Sequence, residues 1–199
     1  EARIPVIADE IYDKLTLDGK MVTGIRDIAD GHPVIIGNGI SKNFFYPGAR
    51  VGYLTVYGDA SQGADALAAE LQRNANARLS INWEMQIGAI AAFSMPEAEL
   101  NTYLEMQRTE LRIRRDIVYD GLRKIPGISV VKPDAAFYIF PKVETNAFKT
   151  DLEFTTRLLE ETGVLVIPGC GFSRILEGKY LRLVFLDKPE ELREAMGKI

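Results

Sequence analysis

The chain of 199 residues is poor in the residues that most often mark chemistry. Cys170 is its only cysteine, which excludes a disulfide within the chain and fits a reducing cytosol. His32 is its only histidine. With one of each, neither a zinc site nor a Ser-His-Asp triad can be assembled, so no metal is expected. His32 itself lies in a Gly-His-Pro turn and reads as a loop residue. Long apolar runs are also missing. Residues 4–8, 34–36 and 164–167 are the typical apolar stretches, far too short to cross a bilayer. Nothing resembles a signal peptide, and a cytoplasmic location with no membrane partner is expected. Positive charge is not in excess either: the net charge is -4, no basic patch dominates, and nucleic acid is not an expected partner.

What is present suits an ordinary globular protein of one large domain or two small ones, with 47% hydrophobic and 26% charged residues. The chain begins at Glu1 rather than methionine and is already apolar and strand-like by Ile4. It is therefore expected to be a piece of a longer protein.

Residues 4–8 and 33–39 are continuous apolar runs, the pattern of parallel strands buried on both faces; the first ends in Asp9-Glu10, the second in Gly37-Asn38-Gly39. Residues 51–57 read as a third strand. Composition then turns helical over 64–73 and 85–93, and a long helix is expected over 97–124 with Pro96 at its start. Arg112, Arg114, Arg115 and Arg123 on that helix read as a solvated face. After Pro126-Gly127, short strands are expected at 128–131, 136–140, 164–167 and 180–185. Residues 151–162 form an amphipathic helix capped by Asp151, and 189–199 a last helix. The fold class is α/β: a piece of α/β sheet, a connecting helix and a small α+β domain.

One segment carries most of the chemistry. Residues 41–53 read Ser-Lys-Asn-Phe-Phe-Tyr-Pro-Gly-Ala-Arg-Val-Gly-Tyr. A lysine in the loop after a buried strand is placed for desolvation, which with nearby positive charge lowers an amine pKa and makes Lys42 nucleophilic toward an aldehyde. Arg50, expected to begin the next strand, offers a planar guanidinium suited to a phosphate.

Ser-Lys-x4-Tyr-Pro-Gly-x-Arg-x-Gly-Tyr resembles the cofactor-lysine motif of the fold-type I aminotransferases (class I/II), which use pyridoxal 5'-phosphate (PLP). Ile7-Ala8-Asp9-Glu10-Ile11-Tyr12 resembles the same family's strand-end motif, in its order and near its spacing. The resemblance implies that Lys42 is the catalytic residue, joined to PLP as a Schiff base and then acting as general base and acid. It implies that Asp9 faces the pyridine nitrogen, Tyr12 the phenolic oxygen, and Ser41 and Arg50 the phosphate. The plain alternatives are a turn-capping carboxylate for Asp9 and a packing ring for Tyr12. The family's aspartate branch has a serine three residues before the lysine. Gly39 stands there, which removes one phosphate contact and points toward alanine- and tyrosine-type enzymes.

Residues 136–141, Ala-Phe-Tyr-Ile-Phe-Pro, resemble the family's substrate-entrance strand, and Pro168 to Phe172 its Pro-Gly-x-x-Phe loop. Leu181-Arg182-Leu183 resembles the strand whose arginine grips the substrate α-carboxylate. The alternative for Arg182 is an outward-facing side chain. Arg78 falls where some members face the partner subunit's site, or else is a helix-end arginine.

The resemblance covers the whole chain but only the C-terminal half of the family's fold. It implies residues 1–105 as the C-terminal part of the PLP-binding large domain, with a mixed, mostly parallel sheet, and 106–199 as the α+β small domain. The implied activity is transfer of an amino group between an L-amino acid (alanine, aspartate or aromatic) and a 2-oxo acid, in a homodimer, with this chain inactive alone. Two alternatives stay open: a catalytically incomplete fragment, and a related PLP lyase of the C-S lyase type or a PLP-dependent regulator domain.

Overall fold

The apolar runs at 4–8 and 33–39 both contribute strands, and these pair side by side. A computed structural model describes residues 4–173, 175 and 177–199. In it β1 (Val6–Asp9) lies parallel to β2 (Val34–Gly39), with Asp9 opposite Gly37. Helix α1 (Ile40–Asn43) follows β2 at once, and β3 (Gly52–Tyr57) returns antiparallel to β2. The order β1-β2-β3 is thus a mixed sheet with one parallel and one antiparallel pair. Next come α2 (Ala64–Ala77), α3 (Trp83–Phe93) and α4 (Glu97–Leu122). Two compact units divide the chain at Leu104/Glu105, within α4.

Only the middle strand of this first unit is buried. Val34, Ile35 and Ile36 of β2 are in the core, whereas Ile7 of β1 is 74% exposed and Leu54 of β3 is 59% exposed. This corrects the expectation of two buried parallel strands. Each outer strand has one neighbour among the described residues, so its apolar side chains stay open to solvent. A second apolar cluster, Ile40, Ala49, Val51 and Ala89 with Phe44, Ile81, Met85 and Ala92 against it, anchors α1 and the turn after it. The Phe44 ring stacks on Tyr103 at 5.8 Å.

The second unit holds β4 (Ile128–Ser129), β5 (Tyr138–Ile139), β6 (Lys142–Val143), α5 (Asp151–Thr162), β7 (Ile167–Pro168), β8 (Lys179–Val184) and α6 (Pro189–Lys198). Strand β8 organises it: β5, β6 and β7 all pair with it antiparallel, and β4 pairs with β6. Tyr138 opposite Val184 and Lys142 opposite Tyr180 belong to one continuous register. Pro141 divides β5 from β6 because it has no N–H to give, yet its carbonyl still accepts from Leu181 at 3.0 Å. The expected strand at 136–140 is shortened by Ala136, at φ 61°, and the strand β6 beyond the proline was not foreseen.

Two further expectations change. Thr150, not Asp151, caps α5: its Oγ1 accepts from the Glu153 N–H at 3.1 Å. Asp151 is instead turned inward. Arg115 is not on a solvated face. It is 1% exposed, in the stripe of Leu111, Val118 and Leu122, and donates to Asp116 Oδ1 at 2.8 Å and to the Pro133 carbonyl at 3.2 Å. Arg123 does match the solvated reading, ion-paired to Asp120 at the surface.

Among the described residues no helix is long and apolar enough to cross a membrane, and no cluster of three or more potential metal ligands occurs.

Candidate active site

Parallel pairing of β1 and β2 brings their C-terminal ends to the same edge of the sheet, where α/β folds hold ligands. Asp9 ends β1. Lys42 follows β2, in the single turn of α1 rather than in the loop that the sequence suggests. The junction is held by Asn38, whose Oδ1 accepts from the Gly39 N–H at 2.7 Å while its Nδ2 donates to the Glu10 carbonyl at 3.1 Å. Gly39 is extended, at φ 176°, so conformation does not require glycine there; space does. A Cβ at this position would lie 2.7 Å from the Val51 carbonyl oxygen and 3.0 Å from the Gly52 Cα. A side chain at position 39 would therefore press on the backbone of residues 51 and 52.

After α1 the chain turns sharply. Phe45 and Arg50 have φ values of 51° and 55°, in the left-handed region that costs a non-glycine residue roughly 1–3 kcal/mol. Arg50 thus precedes the next strand rather than beginning it. One Nη donates to the Pro47 carbonyl at 2.9 Å, and the rest of the guanidinium is exposed.

Asp9, Ser41, Lys42 and Arg50 line one open cavity of about 1300 Å³, together with Tyr53 and Arg78. Tyr12 is drawn in by another route: the Lys42 ammonium sits 5.7 Å from the centre of its ring, within cation–π range. Lys42 and Tyr12 are both half-buried. Asp9 Oδ1 accepts from the Ile11 N–H at 3.2 Å, so the turn-capping role weighed for it is present as well. Burial first, then the charges of Asp13 and Tyr57, pushes the Tyr53 phenol above its ordinary range.

Arg182 belongs to the second unit. Alternation along β8 buries Leu181 and Leu183 and turns Arg182 to the opposite face. Its guanidinium carbon lies 4.1 Å from the Phe172 ring centre and 4.8 Å from that of Tyr138. The Nε is buried without a hydrogen-bond partner among the described residues. Arg182 is half-buried rather than fully solvated.

Reasoning from sequence missed Asn43 and Asp13. Asn43 is 3% exposed and its Nδ2 donates to Asp13 Oδ1 at 2.8 Å. Thirty residues separate the two, and no local pattern links them.

Comparison with known proteins gives the family of the chain. Residues 1–199 match the family model "Aminotransferase class I and II", and the chain belongs to that family, whose members use PLP. Aspartate aminotransferase of Bacillus subtilis (strain 168) is 35% identical across the whole of this chain and 49% of its own length. The solved structure of alanine aminotransferase from Pyrococcus furiosus superposes with a TM-score of 0.86 at 39% identity, over 98% of this chain and 48% of that one. Tyrosine aminotransferase from Leishmania infantum gives 0.85 at 28% identity, over 98% and 47%. The chain spans about half the length of the curated relatives it matches.

Proposed function

We propose that this chain is the lysine-bearing part of a PLP-dependent aminotransferase, moving an amino group between an L-amino acid (alanine, aspartate or aromatic) and a 2-oxo acid. The observation that carries the reading is that an amine, a carboxylate, a hydroxyl and a guanidinium, those of Lys42, Asp9, Ser41 and Arg50, share one cavity. This donor set fits PLP: an amine for its aldehyde, an anion for its ring N–H, and a cation and a hydroxyl for its phosphate. When bound, the cofactor supplies an aldehyde that condenses with amines and a protonated ring that draws electrons from the adjoining carbon.

The chain's own residues then have distinct tasks. Asp9 holds the proton on the ring nitrogen through its carboxylate. Arg50 and Ser41 hold the phosphate and so fix the ring against translation. The Tyr12 hydroxyl serves the phenolic oxygen. Lys42 Nζ would be the point of attachment and, as a free amine, the base for the substrate α-proton. Arg182 grips the α-carboxylate through the paired N–H donors at the end of its guanidinium. Residues 1–105 and 106–199 correspond in this reading to the large-domain part and the small domain, and the assembled enzyme is a homodimer.

The test is borohydride reduction of the full-length protein loaded with PLP, followed by peptide mass analysis and an amino-acid panel with 2-oxoglutarate. A pyridoxyl adduct on Lys42 and formation of glutamate are expected. Lys42→Ala should remove both the adduct and the yellow absorbance; a chromophore that survives that substitution would overturn the assignment. Release of ammonia and pyruvate without glutamate would overturn the transferase activity in favour of a lyase.

A further inference from the structure

We infer that Asn43 is a positioning residue for Lys42: its buried amide ties α1 to the Tyr12-Asp13 turn and so sets where the lysine amine stands. The inference rests on the Lys42 reading proposed above. Asn43 directly follows Lys42, and Asp13 directly follows Tyr12. The Asn43 Nδ2 to Asp13 Oδ1 bond of 2.8 Å therefore joins the two segments beside the pair whose amine and ring lie 5.7 Å apart. Only the NH2 end of the amide can face a carboxylate, so its orientation is fixed by chemistry.

Helix α1 has four residues, one turn, which cannot hold its own direction in water. Several contacts hold it, among them the Ile40 N–H to Val51 carbonyl bond at 3.4 Å and one at each end. Ile40 enters the apolar cluster at its start, and the Asn43 tie acts at its end. The turn on the other side is firm: Asp13 N–H donates to the Glu10 carbonyl at 3.0 Å, Leu15 N–H to the Tyr12 carbonyl at 2.9 Å, and Leu15 is fully buried. Stability alone does not favour asparagine at this place. Its Oδ1 is buried without a hydrogen-bond partner, a cost that an apolar residue of similar size would avoid. An amide that leaves one end unsatisfied while its other end bonds the segment carrying Tyr12 is suited to fixing geometry.

The test uses three substitutions in the full-length protein and two measurements. Asn43→Ala and Asp13→Ala both break the tie, while Asp13→Asn keeps an acceptor oxygen. The Asp13 side chain is 26% exposed, so Asp13→Ala breaks the tie without opening the core should Asn43→Ala fail to fold. Without cofactor, backbone amides of residues 40–46 should exchange about tenfold faster in the two alanine variants and near the unsubstituted rate in Asp13→Asn. With PLP bound, the visible circular dichroism of the cofactor should fall in the alanine variants and return in Asp13→Asn. Unchanged exchange in the alanine variants would overturn the tie. Faster exchange with unchanged dichroism would overturn the positioning role alone, leaving a purely structural contact. Absence of a pyridoxyl adduct on Lys42 in the unsubstituted protein would overturn the Lys42 reading, and this inference with it.

Discussion

The Asp151 carboxylate accepts a 2.7 Å hydrogen bond from the Cys170 N–H, nineteen residues further on. Asp151 is 6% exposed although it stands in the first turn of α5, whereas Cys170 is exposed. Hydrogen bonding to Asp151, then burial and the carboxylate charge, pushes the Cys170 thiol above its ordinary range. A raised thiol pKa lowers the fraction of thiolate, and the thiolate is the nucleophile. Asp151→Asn should raise its rate of alkylation by iodoacetamide at pH 8 by about threefold or more. An unchanged rate would show that the thiol does not feel the carboxylate.

Gly39 should tolerate no side chain. A Cβ 2.7 Å from the Val51 carbonyl oxygen meets backbone, which cannot rotate away. Gly39→Ala and Gly39→Ser are both expected to destabilise the first unit by about 1–3 kcal/mol. Gly48→Ala is the control, since nothing lies within 4 Å of the added atom. Denaturant midpoints of the three variants measure the difference, and equal midpoints would show that the junction yields.

Asp116 should make stability depend on acid. Burial alone would raise its carboxyl pKa, but hydrogen bonds and charge from Arg115 and Lys132 outweigh that and hold it below the ordinary carboxylate range. A depressed folded pKa contributes stability above the unfolded value and loses it as pH falls through the folded one. Asp116 is 44% exposed, and solvent screening limits the contribution at pH 7 to under about 1 kcal/mol. Asp116→Asn should be less stable than the unsubstituted chain at pH 7, and the gap should close below pH ~4. A gap that is constant with pH would show that charge is not its origin.

On the proposed reading, Arg182 should govern substrate affinity in the full-length protein. A charge-assisted pair to a carboxylate is worth about 1.5–3 kcal/mol, so Arg182→Leu should raise KM about tenfold to a hundredfold. Arg182→Lys should recover little, because an ammonium can neither fork onto a carboxylate nor stack on the Phe172 and Tyr138 rings as a planar guanidinium can. Full recovery by lysine would reduce the role of Arg182 to that of a point charge.

Patterns within reach of a short window were legible in the sequence. Helix α5 covers residues 151–162 as its apolar spacing predicts, because helix periodicity depends on neighbours three and four positions away. Arg115 shows where such reading stops short. Its spacing from Leu111, Val118 and Leu122 places it on the buried stripe, a signal available in the sequence but outweighed by the other arginines around it. Asp151 and Thr150 are both good caps by residue type, and only the partner across the fold, Cys170, turns Asp151 inward.

By itself the sequence determined most of the strands and helices, though not α1 or β6, and the Ser41-to-Tyr53 motif that resembles the aminotransferase family, because these are encoded in residues close along the chain. Tertiary structure decided the rest: that β2 is buried while the equally apolar β1 lies open, that Pro141 interrupts a strand without ending its register, and that Asp9, Ser41, Lys42 and Arg50 share a cavity. It also decided that Asn43 meets Asp13. Burial and pairing depend on which segments become neighbours in space, and that follows from the packing of the whole sheet rather than from local order.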